Sequence, residues 1–194
     1  EAAPEGKYIR PAGMDFKKGQ KLLKVGTRLN ARNIALVAAM NIPWIKVIRK
    51  PRIAILSTGN ELVLPGEFVG QDKIISSNSL GLAAMVSANG GIPINLGIAK
   101  DDPRSLKNAV SQLSGVDMLI TIGGASVGDY DLIKSVLSKE GLNITFSRVA
   151  MRPGKPLIFG NIFGTPMLGL PGNPVSASVT ATLFLLPAIS KMLG

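Results

Sequence analysis

From residue 52 onward the chain alternates between two periodicities of apolar and polar residues. Runs such as Ile53 to Leu56 and Met118 to Ile122 are apolar rather than alternating, which is the pattern of strands covered on both faces. Between them lie stretches with apolar residues at helical spacing. The order reads strand "RIAILST" (52–58), helix "SLGLAAMVSANG" (79–90), strand "IPINLGIA" (92–99), helix "PRSLKNAVSQLS" (103–114), strand "VDMLITIGG" (116–124) and helix "YDLIKSVLSK" (130–139). Strands joined by helices require right-handed crossovers, so the prediction is an α/β fold with a three-layer, mostly parallel sheet.

The last third adds three short strands, "NITFSRV", "PLIFG" and "PMLGL", and a closing helix that begins near Asn173. Asn173 is suited to an N-cap, and Pro174 at the first helical position gives up a donor that would have no partner there. Residues 1–50 follow a different rhythm. They hold short extended pieces and one helix, "NARNIALVAAM" (30–40), with Asn30 as its cap, and Pro51 then breaks the pattern. The predicted organisation is a small N-terminal subdomain over 1–50 followed by an α/β domain over 51–194.

Composition narrows the chemistry. Apolar residues make up 46% of the 194, enough for a sizeable core. There is no cysteine and no histidine, which removes disulfides, thiolate metal sites, cysteine nucleophiles, Ser-His-Asp triads and most zinc sites. Catalysis must then use carboxylates, lysines, arginines, backbone amides or a hydrated hard cation. Lys+Arg outnumber Asp+Glu by 22 to 12, a formal charge of +10, so an anionic partner is expected. The basic residues are dispersed, with one cluster at "KVIRKPR" (46–52) and no aromatic-interleaved stripe, so nucleic acid is not the expected partner. The uninterrupted apolar portion of the C-terminal stretch falls short of the ~20 residues a membrane span needs. A cytoplasmic protein without a membrane partner is the expectation. The chain opens without methionine or a signal segment and reads as a processed or excised piece.

In an open parallel sheet, ligands bind beyond the carboxyl ends of the strands. Four such ends carry polar chemistry. After the first strand come Thr58, Gly59 and Glu61, where small residues admit a ligand and a carboxylate stands nearby. After the next come Asp101 and Asp102 before Pro103, one of them explicable as a helix cap. The stretch "TIGGASVGDYDLIK" (121–134) places Gly123, Gly124, Ser126 and Gly128 before Asp129 and Asp131, a glycine-rich turn into a helix that suits a phosphate. Finally, Arg148, Arg152 and Lys155 bring three cations into eight residues around a Pro-Gly turn, a cluster that calls for an anion. Each pattern alone is also that of an ordinary turn, cap or solvated loop.

Together, "ILSTGNEL", "SSNS", "GGASVGDYD", "MRPGKP" and "GLPGNPVSA", in that order, resemble the molybdopterin molybdenumtransferase family, known as MoeA in bacteria and as the gephyrin E domain. The segment from Ile9 to Met40 is also similar to the one leading into that family's central, MogA-like domain. The resemblance implies insertion of molybdenum from molybdate into adenylylated molybdopterin, with Mg²⁺-assisted release of AMP. It assigns Glu61, one of Asp101 and Asp102, and Asp131 to the catalytic chemistry, with Glu61 and Asp131 as metal ligands. It assigns Thr58, Gly59, Ser77, Asn78, Gly123, Gly124, Ser126, Gly128, Arg148, Arg152, Lys155, Pro171 and Asn173 to substrate binding, with Arg152 and Lys155 on oxyanions. Arg148 and Arg152 stand where bacterial members often carry lysine, which exchanges a movable point charge for a rigid fork.

Two alternatives share the fold: a molybdopterin adenylyltransferase, which acts one step earlier and usually lacks a segment like 1–50, and a non-catalytic scaffold module. The family is an elongated homodimer of four-part subunits, of which this chain matches the segment 1–50 and the central domain. The expectation is therefore weak binding and little turnover by these residues alone.

Overall fold

The computed structural model describes residues 2–123 and 136–194. It divides into two compact units, Glu1–Val47 and Ile48–Gly194. The first consists mainly of turns around one helix, α1 (Ala31–Ala39). Its start is the predicted one. Asn30 Oδ1 accepts from the Asn33 amide at 3.0 Å, and Asn33 Oδ1 accepts from the Asn30 amide at 3.1 Å, a reciprocal box that satisfies two otherwise unpaired donors. Val37 is the one buried side chain on this helix.

The second unit holds β1 (Arg52–Thr58), β2 (Leu62–Val63), β3 (Ile74–Ile75), α2 (Asn78–Ala88), β4 (Ile92–Ala99), α3 (Pro103–Val110) and β5 (Met118–Ile122). These are followed by β6 (Leu142–Phe146), β7 (Ile158–Ile162), β8 (Thr165–Leu170) and a last helix, α4 (Pro174–Met192). Among the described residues the main sheet has six strands in the order β4-β1-β5-β8-β7-β6. The first four run parallel, and β7 and β6 are added antiparallel. β2 and β3 form a separate small parallel pair.

Two apolar clusters lie on the two faces of the sheet and make the three layers. On one, Ala54, Leu56, Leu119 and Met167 pack with Leu106, Ala109 and Val110 of α3 and with Val136 and Leu137. On the other, Ile53, Ile55, Ile120 and Leu168 pack with Leu82 and Val86 of α2 and with Ala181, Leu185 and Ile189 of α4. Because consecutive strand residues point to opposite faces, a strand covered twice must be apolar at every position. Residues 53–56 meet that condition and have no solvent exposure. Burying each large side chain among them contributes about 1.5–3 kcal/mol, which makes β1 the anchor of the domain.

α4 is 19 residues long, and by length and composition it is apolar enough to cross a membrane. It lies against the sheet instead, with Thr180, Ala181, Leu185 and Ile189 fully buried. Its middle, Ala181–Leu185, is a π-turn just ahead of Pro187. Proline cannot donate to the carbonyl four residues back, and the hydrogen-bond ladder changes register there.

At the opposite edge of the sheet from the loops described below, Arg49 and Asp117 form a two-pronged ion pair with both N–O distances at 2.6 Å. The Arg52 amide also donates to Asp117 Oδ2 at 2.7 Å. The bonds from Arg49 outweigh partial burial and hold the Asp117 carboxyl below the usual range.

Candidate functional site

The sheet topology decides which loops meet. β1, β4, β5 and β8 are parallel, so the segments after Thr58, Ala99, Ile122 and Leu170 all leave from one edge. β7 is antiparallel to β8, with Ile158 paired to Gly169, and β6 is antiparallel to β7, with Phe146 paired to Phe159. The loop 147–157 therefore returns to that same edge. Thr58, Gly59, Glu61, Asp101, Asp102, Gly123, Arg148, Arg152, Lys155, Pro171 and Asn173 line it in strand order, with carboxylates at the β4–β1 end and cations at the β8–β7–β6 end. Strands lie about 4.8 Å apart, so the three steps from β1 to β7 put about 14 Å between the two ends. Gly124, Ser126, Gly128 and Asp131 lie outside the described residues.

At the acidic end, the Gly59 amide donates to the Ala99 carbonyl at 3.2 Å and joins the two strand tips. A Cβ built on Gly59 would lie 2.5 Å from Glu61 Oε2, and its φ of +148° already favours glycine. The Glu61 carboxylate thus folds back over a residue that has no side chain. Its backbone is fixed from the other side, where the Ile74 amide donates to the Glu61 carbonyl at 2.9 Å. The two aspartates divide their roles. Asp102 caps α3, accepting from the Ser105 amide at 2.8 Å with Pro103 at the first helical position. Asp101 Oδ2 accepts from the Asn60 amide at 3.0 Å.

In the middle, Gly123 has φ +90°, and its amide donates to the Leu170 carbonyl at 3.2 Å. A Cβ on it would lie 2.5 Å from the Thr58 carbonyl oxygen, and a Cβ on Gly172 would lie 3.4 Å from the Gly123 Cα. The tips of β1, β5 and β8 are therefore stacked backbone on backbone, as expected where the strand order reverses between β1 and β5. Asn78 at the start of α2 donates to the Gly172 carbonyl at 2.7 Å. Ser77 is exposed, and its side chain does not cap the helix. Ser57 and Ser76 share a buried hydrogen bond of 3.1 Å that ties β1 to the entry of α2.

At the basic end, the loop is folded on itself. The Val149 amide donates to the Lys155 carbonyl at 3.0 Å, and the Arg152–Pro153 peptide is cis. Gly154 is buried with φ +103° against the Thr180 methyl of α4. Arg148, Arg152 and Lys155 are exposed, and among the described residues no carboxylate pairs with them. Asn173 caps α4, its Oδ1 accepting from the amides of Val175 and Ser176 at 3.0 and 3.2 Å, so that oxygen is committed to the helix. Pro171 is buried.

Among the described residues no three or more carboxylates gather closely enough to make a metal cage. Glu61 and Asp101 nevertheless supply hard oxygen donors, and among the described residues Asp101 Oδ1 accepts no hydrogen bond. This donor set fits Mg²⁺, which keeps most of its shell as water and substrate phosphate, better than it fits a fully protein-ligated ion. Sequence reasoning missed Asn60 and Lys73. Asn60 pairs with Asp101, and the Lys73 ammonium donates to the Asn60 carbonyl. Both are common surface residue types, and nothing in their spacing marks them.

A family model described as "Probable molybdopterin binding domain" matches residues 54–191. A curated relative from Nostoc sp., "Molybdopterin molybdenumtransferase", is 43% identical over 97% of this chain and 44% of its own length. "Gephyrin" of Dictyostelium discoideum is 36% identical over 97% of this chain and 30% of its own length. Among solved structures, the "molybdopterin biosynthesis moea protein from Pyrococcus horikosii" superposes with a TM-score of 0.84 at 38% identity, covering 94% of this chain and 45% of that one. The chain thus spans less than half the length of these relatives. With the fold, the converging loops and the matched residues in agreement, the chain belongs to the family of molybdopterin-binding domains.

Proposed function

We propose that this chain is the part of a molybdopterin molybdenumtransferase that holds adenylylated molybdopterin and serves its conversion, with molybdate, to the molybdenum-loaded pterin and AMP. The observation that carries this reading is the arrangement of charge along one sheet edge, with Glu61 and Asp101 at the β4–β1 tips beside Lys73 and Lys100, glycines in the middle, and on the 148–155 loop three cations that no carboxylate pairs with among the described residues. A ligand with phosphates at its centre and oxyanion chemistry at one end matches that order.

The residues divide the work by chemistry. Gly123 and Gly172 leave the centre of the edge without side chains, so a phosphate can come close to the backbone there. Arg152 and Lys155 hold molybdate oxygens, the arginine as a fork and the lysine as a point charge. Glu61, joined by Asp101, would hold Mg²⁺. When bound, that ion neutralises charge that develops on the phosphate during AMP release. Glu61 is suited to this because its carbonyl is held by the Ile74 amide while its carboxylate stays at the surface. The setting is the cytoplasm, and the working unit is a homodimer of the longer protein.

Calorimetric titration with AMP, with and without Mg²⁺, tests the reading directly. Mg²⁺-dependent AMP binding that is lost in Glu61→Ala supports it. Equal binding with EDTA present would count against the assignment of Glu61. With the longer protein, AMP release from adenylylated molybdopterin separates this reading from the adenylyltransferase one, in which molybdopterin and ATP would be consumed instead.

A further inference from the structure

The loops after β1 and β4 are closed on each other by a two-residue ring. The Asn60 amide donates to Asp101 Oδ2 at 3.0 Å, and the Asp101 amide donates to Asn60 Oδ1 at 3.2 Å. Each residue contributes a backbone donor and a side-chain acceptor, so neither side chain can turn without breaking a bond that the other loop depends on. Asn60 is engaged a third time at its carbonyl, which accepts from the Lys73 ammonium. Its neighbour in sequence is Glu61, and the neighbour of Asp101 is the helix cap Asp102.

We propose that Asn60 is a positioning residue, which fixes the Glu61 loop and the Asp101 carboxylate relative to each other so that both can serve one cation–phosphate ligand. This rests on the reading of the sheet edge as the ligand site. Asn60 is uncharged and contributes no ligand of its own. Its side chain acts on the Asp101 backbone, whose amide donates to Asn60 Oδ1, while the backbone amide of Asn60 orients Asp101 Oδ2 and leaves Oδ1 without a hydrogen bond among the described residues. The pair is exposed, so each bond adds little to stability in water. What it removes is the freedom of two loops to place their carboxylates independently, and preorganisation of that kind shows in ligand affinity. Asparagine at 60 and not glutamine follows from the ring, because a longer side chain would carry the acceptor past the Asp101 amide.

The test uses the 194-residue chain, AMP and Mg²⁺ as probes, and three proteins: wild type, Asn60→Ala and Asn60→Asp. Loss of one hydrogen bond of ordinary strength predicts that Asn60→Ala raises the Mg²⁺ concentration for half-maximal AMP binding about fivefold. Its thermal midpoint stays within about 2 °C of wild type, as expected for a surface truncation. Amide exchange at Asp101 should quicken in the same variant. Asn60→Asp keeps an acceptor in place and adds a charge of the sign a cation prefers, so its Mg²⁺ requirement returns to the wild-type value or below. Unchanged Mg²⁺ dependence in Asn60→Ala, an unchanged Asp101 exchange rate, or equal impairment in Asn60→Ala and Asn60→Asp would each overturn the positioning role while leaving the site reading intact. Absence of Mg²⁺-dependent AMP binding by the wild type would overturn the site reading and the positioning role together.

Discussion

Gly123, at the tip of β5, stands so close to Thr58, at the tip of β1, that a Cβ built on the glycine would lie 2.5 Å from the threonine carbonyl oxygen. The contact is with backbone, which cannot swing aside, and the glycine φ of +90° is one that side-chain-bearing residues avoid. Gly123→Ala should therefore combine conformational strain with overpacking and cost about 2–4 kcal/mol. Urea denaturation reads the stability loss, and AMP titration at a temperature where the variant is folded should show weaker binding. Wild-type stability in this variant would mean that the strand tips are not stacked as described.

The basic loop offers a two-part test. Gly154 has φ +103°, and a Cβ there would lie 2.5 Å from the Thr180 methyl carbon. Gly154→Ala should cost about 2–4 kcal/mol. Thr180→Ser removes that methyl but keeps the hydroxyl, which donates to the Ser176 carbonyl at 2.7 Å. In the alanine background it should recover the steric share, about 1–2 kcal/mol, and leave the backbone strain, a coupling that a double-mutant cycle measures. Additive effects of the two changes would show that loop and helix do not touch there.

Asn173 ties the tip of β8 to the start of α4 by accepting from two helix amides. Asn173→Ala should lower stability by about 1 kcal/mol, the usual cost of a lost cap. Asn173→Asp should hold the wild-type value, since a carboxylate accepts the same amides and suits the helix N-terminus. Chemical denaturation distinguishes the two.

Asp117 sets a pH dependence. Its folded-state pKa is depressed, chiefly by the hydrogen bonds from Arg49. A depressed carboxylate contributes stability that is complete above its unfolded-state pKa of about 4 and is lost as pH falls through the lower folded-state value. The stability gap between wild type and Asp117→Asn should be widest near neutral pH and should close as the solution is acidified below about pH 4. Denaturation midpoints measured across that range check the sign. A gap that widens on acidification would contradict it.

Much of the architecture was legible beforehand. The apolar run at 53–56 announced a strand buried on both faces, and β1 is that strand, because two facing helical layers leave it no solvent side. The caps at Asn30, Asp102 and Asn173 were legible too, since capping depends on residue type and local spacing alone. The antiparallel β6 and β7 were visible as short strands but not in direction, because period and length carry no information on which neighbour a strand pairs with. The closing helix was legible through its Asn173 cap and Pro174 start, but the π-turn at Ala181–Leu185 was not, because a register change in the hydrogen-bond ladder leaves no pattern of residue types.

The sequence by itself determined the alternation of elements, the exclusion of cysteine and histidine chemistry, and the motif set that marks this family. Those properties reside in composition and in contacts a few residues apart. Only the tertiary structure decided that loops from five strands share one edge, that Glu61 and Asp101 lie at the other end of it from the 148–155 loop, and that Asn60 locks onto Asp101 41 residues away. Strand order and long-range pairing arise from how whole elements pack, and that packing joins residues between which the chain carries no local pattern.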